Sequence, residues 1–296
     1  MLPLDKDLQL PKKTLIEFVE LSIKVLKYLP NVLSSYESKG NYRIYLSSQA
    51  GLNKYIRPIN IKLFISDPDE LTEKYELLRA TLNKRKKSKN EFSFQEKLLI
   101  NSVIYTLQQS VGAGLDLLVN PNSARKHVGN RFEELIASIF TEVGIANKKL
   151  VLQIPYETDE GQKIYKCEND LILSPYDEVR STESATHKDE VIVSIKTTSK
   201  DRMSKIFIDK ILLERFVGHN QKVIGIFLND VQRKEGNNIS FTLVSGLFMV
   251  YSKFLVKLDG IYYLDSPPNA QIRPYNKHMH SFADLISTHI WKLLTP

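Results

Sequence analysis

A single cysteine, Cys167, a single tryptophan, Trp291, and no apolar run approaching a membrane span of roughly 20 residues limit what this chain of 296 residues can be. One cysteine excludes an internal disulfide framework and a cysteine-rich zinc site, and it points to a reducing compartment, so we expect a cytoplasmic protein. The opening MLPLDKDLQLPKKTLIEF carries acidic residues where a secretory leader has a continuous apolar core. No Gly-x-x-x-x-Gly-Lys-Ser/Thr loop occurs, which argues against ATP hydrolysis and a nucleotide cofactor. Six histidines are scattered, and His278 and His280 in NKHMHSF read as a surface segment rather than a ligand pair. Trp291 falls in an apolar C-terminal stretch and reads as core.

What is present is enough hydrophobic content, 42%, to bury the core of one large domain or of a catalytic part with a smaller lobe. Lys and Arg number 41 against 34 Asp and Glu, a net charge of +7 that favours a polyanionic partner. Apolar residues recur at helical spacing from Thr14 to Leu29, and NYRIYLSSQAGLNKYIRPINIKLFIS alternates as a hairpin or protruding loop pair would. DPDELTEKYELLRATLNKRKKSK has the acidic start and basic end that a helix macrodipole prefers, running into a basic loop, Lys84 to Lys89. That loop is either a solvated linker or a phosphate contact. Further helices are expected from Phe94 to Leu118 and from Ser123, as N-cap, to about Val143. After Gly144, KKLVLQIPY, KIYKCENDLILS, DEVIVSIKTTS, KVIGIFLND and ISFTLVSG read as strands, with SKIFIDKILLERF a helix between the third and fourth and Pro175 to Asp189 a long connection. The expected fold is α/β, a central mixed sheet flanked by helices. A mainly helical, recognition-rich part is expected at about 1–120 and the core at about 121–296.

Side chains two apart on a strand share a face. That places Glu168 with Asp170 on one strand, and Glu190, Ile192, Ser194 and Lys196 together on the next. Two neighbouring carboxylates repel unless something positive lies between them, and magnesium takes one or two carboxylates from a protein. The other reading is an exposed face, or a salt bridge to Lys166 or Lys196. In GNRFEELIASIF, Phe132, Ile136, Ile139 and Phe140 form the core face of a helix, which lets Glu133, next to a buried Phe, lean along the sheet edge. A Glu133–Glu134 pair alone is usually surface.

Helix with Gly-x-x-Phe-Glu, strand with Asp, strand ending x-x-Lys, then helix: this order resembles the PD-(D/E)XK nucleases over about Gly129 to Phe216. The resemblance implies that Asp170 binds magnesium and that Lys196 positions the attacking water. Asn169 stands where that family has Pro, and Ser194 where it has a carboxylate. SIKTTSKDR resembles the Ser-x-Lys version found in type II restriction endonucleases of the CCGG family. There the missing carboxylate comes from elsewhere, usually the helix after the Lys, which here is Asp209. In the same family a basic-acidic-basic triplet reads a CCGG or CCNGG core, and Lys200, Asp201 and Arg202 occupy it here. The resulting expectation is a magnesium-dependent endonuclease acting as a homodimer on double-stranded DNA. Its site comprises Glu133, Glu168, Asp170 and Lys196, with Asp209 and Glu134 in reserve, and Glu168, Asp170 and Glu133 are its metal ligands. With a CCNGG core, as in a TCCNGGA site, the resemblance implies a flipped central base, with Tyr45 and Tyr55 as the candidate supports. Two competing functions are a nuclease of the same superfamily acting on junctions or damaged DNA, and a non-catalytic DNA-binding protein on a decayed nuclease fold.

Overall fold

The long helix expected from Ser123 starts earlier, for a reason visible in the sequence VNPNSA. Pro121 takes the first helical position, where its missing N–H costs nothing, and the Asn120 side chain accepts the Ser123 N–H at 3.0 Å. Asn120, not Ser123, is therefore the cap. A computed structural model describes residues 2–49, 52–87, 90–199, 202–233, 238–241 and 245–295. The order begins α1 (Leu4–Gln9), α2 (Leu15–Tyr28), β1 (Ser35–Lys39), β2 (Tyr42–Gln49), β3 (Leu52–Tyr55), β4 (Ile59–Asn60), α3 (Pro68–Lys87), α4 (Phe94–Leu118) and α5 (Pro121–Glu142). It continues β5 (Ala146–Thr158), β6 (Gly161–Ser174), β7 (Val191–Thr198), α6 (Met203–Val217), β8 (Lys222–Asn229), β9 (Val231–Arg233), β10 (Ile239–Phe241), α7 (Ser245–Phe254), β11 (Gly260–Tyr263) and β12 (Met279–Ser281), and closes with short helical turns from Phe282 to Leu293.

The central sheet has the order β12-β11-β8-β7-β6-β5. β5, β6 and β7 are antiparallel neighbours, and β7, β8, β11 and β12 run parallel, so the sheet is mixed as expected. One face, with Val191, Val193, Ile195, Ile224 and Ile226, meets Phe132, Ile136, Ile139 and Phe140 of α5, all four fully buried. The same apolar cluster continues through Leu8, Phe18, Leu78 and Ile104 of α1 to α4, so these helices and α5 share one core. Ile172, Ile192, Val223 and Phe227 on the opposite face pack on Ile206, Phe207 and Leu213 of α6 and Phe248 of α7. Among the described residues no helix is long and apolar enough to cross a membrane.

Several expectations need correction. The segment ISFTLVSG does not add a strand to the central sheet: only Ile239–Phe241 is strand, paired with β9 in a separate ribbon, and residues 242–244 lie outside the described residues. The remaining sheet positions go to β11 and β12, too short at four and three residues to show a period. Lys84 to Lys87 belong to the last turn of α3 rather than to a loop, and residues 88 and 89 lie outside the described residues. Arg85 there is buried, donates to the Ser287 carbonyl at 3.0 Å and stacks 4.7 Å over Trp291, whose ring is only partly buried. His278 and His280 are both half-buried, and the His280 ring on β12 lies 4.7 Å from that of His289, so the segment is less exposed than expected.

The alternating stretch after Asn41 does form strands, β2 pairing with β1, β3 and β4. This small sheet packs through Tyr42 and Ile44 on Val231 and Ile239, which brings it over the end of the central sheet where β7 and β8 finish. A buried polar cluster fastens the two: Tyr42 Oη donates to Asp265 at 2.9 Å and the Asn60 amide at 2.8 Å.

Candidate active site

Two strands that run together and then part create the site. β6 and β7 pair at Leu173↔Val191, Ile172↔Ile192 and Leu171↔Val193. Past that point β7 continues beside β8 as far as Thr198↔Asn229, and β6 stays with β5. Asp170 stands in for the missing rung: its Oδ2 accepts the Ile195 N–H at 2.7 Å, and the Lys196 ammonium donates to the same oxygen. A buried backbone donor needs an acceptor, and here a carboxylate supplies it. Asp170 is buried and Lys196 partly so.

A bulge sets the direction of these groups. While β5 advances two residues from Lys148 to Leu150, its partner passes three, from Ile172 to Asn169, so Asp170 and Leu171 together oppose Lys149. Such a bulge breaks the period of two and re-aims side chains. The shift falls between Asn169 and Ile172, so it changes the phase of the run above Asp170 relative to the run that holds Glu168. Below the bulge Asn169 and Cys167 pair with Leu150 and Leu152 on the α6 side, the side that Ile172 takes above it. Glu168 is exposed and Asp170 buried. Both still border one small recess with Asn169, Ser194 and Asp209.

Glu133 and Glu134, adjacent on α5, are sent to different places. Glu133 accepts from Lys149 at 2.6 Å. Burial raises its pKa, Asp170 nearby adds to that, and Lys149 and Lys196 oppose it. Glu134 instead accepts the Lys12 N–H at 2.8 Å and Arg131 Nη2 at 2.6 Å, fastening the N-terminal segment to α5. Asp209 sits on α6 with both oxygens held by Lys205, at 2.7 and 2.6 Å. The structure thus brings Asp170 and Lys196 into contact, sets Glu133 within their field, and puts Glu168 and Asp209 at the recess.

Lys200 and Asp201 lie outside the described residues; Arg202 is exposed at the start of α6. Tyr55 borders a cleft with Arg57, Arg125, Thr197, Thr198 and Arg233, directly after Lys196 along β7. Tyr45 packs elsewhere, its ring 5.6 Å from that of Tyr36. One polar residue at the site escaped sequence reasoning, and another stands out there only as a departure from the family motif. Lys149 looks like any exposed strand lysine until the bulge places it, and Asn169 carries a buried amide nitrogen without a hydrogen-bond partner.

Among the described residues no three His, Cys, Asp or Glu side chains form a ready set of metal ligands. Magnesium asks for less, one or two carboxylates with water and phosphate completing the shell. Asp170 with Glu133 or Glu168 offers that donor type, although Asp170 and Glu133 are each held by a lysine.

No family model matches the chain, and no curated protein matches it in sequence. Solved structures resemble it, among them two restriction endonucleases. The crystal structure of the type IIP restriction endonuclease Kpn2I superposes with a TM-score of 0.71 at 17% identity, covering 94% of this chain and 91% of that one. The restriction endonuclease PspGI in complex with substrate DNA gives a TM-score of 0.41 at 14% identity, covering 76% and 92%. The first likeness extends over nearly the whole of both chains, and with the mixed sheet flanked by helices it shows that the chain has a restriction-endonuclease fold.

Proposed function

We propose that the protein is a type II restriction endonuclease that hydrolyses phosphodiester bonds of double-stranded DNA with magnesium as cofactor. The observation that carries this reading is the Asp170 carboxylate shared between the Ile195 N–H and Lys196 at the parting of two strands, on a restriction-endonuclease fold. Magnesium, when bound, neutralises charge at the phosphorus and on the leaving oxygen. Asp170 and Glu133 would hold it, with Glu168 completing the set and Asp209 in reserve. Lys196 orients the attacking water and stabilises the negative charge that develops as it attacks, with Asp170 fixing the direction of the ammonium.

The +7 charge favours the phosphate backbone. Lys200, Asp201 and Arg202 read C/G pairs, Arg and Lys donating to guanine and Asp accepting from cytosine N4. The core is CCGG or CCNGG. The motif layout also resembles that of PfoI, and that resemblance implies TCCNGGA. For a CCNGG core, Tyr55 is the better support for a flipped central base, since it borders the cleft that continues from Lys196 and Tyr45 does not. A two-fold site is most simply read by a homodimer, each copy cutting one strand. The test is digestion of plasmid DNA with and without magnesium. Discrete bands that need the ion support the reading; random cleavage would favour a junction or repair nuclease, and binding without cleavage a decayed one.

A further inference from the structure

Lys149 faces the β6 bulge in register with Asp170 and Leu171, and its ammonium lies 2.6 Å from Glu133 Oε2. Its side chain is 54% exposed against 17% for Glu133, so the pair lies at the rim of the site and can open toward solvent. Burial works against the Lys149 charge, but Glu133, Asp170 and Glu168 outweigh it and hold its pKa above the ordinary lysine value. Three carboxylates of the site therefore act on one lysine. Lys196 neutralises Asp170 in the same way.

We propose that Lys149 is a positioning residue that fills, in the free protein, the electrostatic place of the divalent ion, holding Glu133 until DNA arrives. The inference rests on the magnesium reading above. With Lys149 on Glu133 and Lys196 on Asp170, two ammonium groups offset two of the carboxylates, and the free protein attracts a dication weakly. A DNA phosphate supplies negative charge at the same rim and gives the Lys149 ammonium a second partner, which releases Glu133. Ion loading thereby becomes coupled to DNA binding, and the site stays unloaded off DNA.

Calorimetric titration of Mn2+ into the DNA-free protein tests this, using wild type, Lys149→Met, Lys149→Arg and Glu133→Gln. Lys149→Met should raise Mn2+ affinity about tenfold or more, in the range by which groups around metal ligands tune affinity. Lys149→Arg, which keeps the charge, should stay near wild type, and added duplex DNA should narrow the gap between Lys149→Met and wild type. An unchanged or weaker affinity in Lys149→Met, beside a Glu133→Gln that weakens binding, overturns the role of Lys149 alone. No Mn2+ binding by any form, with or without duplex DNA, overturns the magnesium reading with it.

Discussion

The Asp170 carboxylate accepts the Ile195 backbone N–H at 2.7 Å across the gap where β6 and β7 part. One side chain thus completes the sheet and stands at the centre of the candidate site. Replacement by Ala orphans a buried N–H and leaves Lys196 without its partner, at a cost of about 1–3 kcal/mol. Asp170→Asn keeps an acceptor for Ile195 but loses the charge. We expect Asp170→Asn to unfold in urea near the wild-type midpoint and to cut DNA about 10–100-fold more slowly. A large loss of stability in Asp170→Asn with cleavage intact would reverse that division.

Glu133 and Glu134 should separate by phenotype. Glu134 receives two hydrogen bonds that tie Lys12 and Arg131 together, so Glu134→Gln should lower stability by about 1.5–3 kcal/mol and spare cleavage in the folded fraction. Glu133→Gln should do the opposite. Urea unfolding and single-turnover cleavage on the same preparations decide the matter.

Asp265 gives a pH dependence unrelated to catalysis. Burial, only partly offset by bonds from Asn60 and Tyr42, raises its pKa from 3.8 to about 6. The folded state then binds a proton more tightly than the unfolded one. The associated stability is present in full below about pH 4 and is lost as pH rises through 6. At about 1.4 kcal/mol per pKa unit the swing is roughly 3 kcal/mol. Relative to Asp265→Asn, the wild type should gain stability by that order on going from pH 7 to pH 4. Parallel pH profiles for the two proteins would rule the effect out.

Much of this architecture is legible locally, and the failures are nonlocal. Phe132, Ile136, Ile139 and Phe140 gave the phase of α5 because one turn of helix carries its own period. The β6 bulge cannot be read from KIYKCENDLILS, since it exists only as a mismatch against β5. The step after Phe132 ranks Glu133 above Glu134 in sequence, but what each one meets depends on Lys149 and Lys12, 16 and 122 residues away. β11 and β12 escape because strands of four and three residues in a parallel array show no alternation.

Arg202, exposed at the start of α6, should contribute to sequence discrimination. Arg202→Ala should cost about 1–3 kcal/mol of preference for cognate over random DNA if the guanidinium meets guanine. Equal weakening on both DNAs would identify a phosphate contact.

The central claim is that Lys196, held by Asp170, performs the cleavage chemistry. Single-turnover cleavage of plasmid DNA at saturating magnesium by Lys196→Met, with DNA binding measured on the same sample, tests it most directly. The account predicts near-normal binding with cleavage slowed at least about a hundredfold, the lower end for loss of one preorganised charge-stabilising donor. Cleavage at the wild-type rate would contradict it.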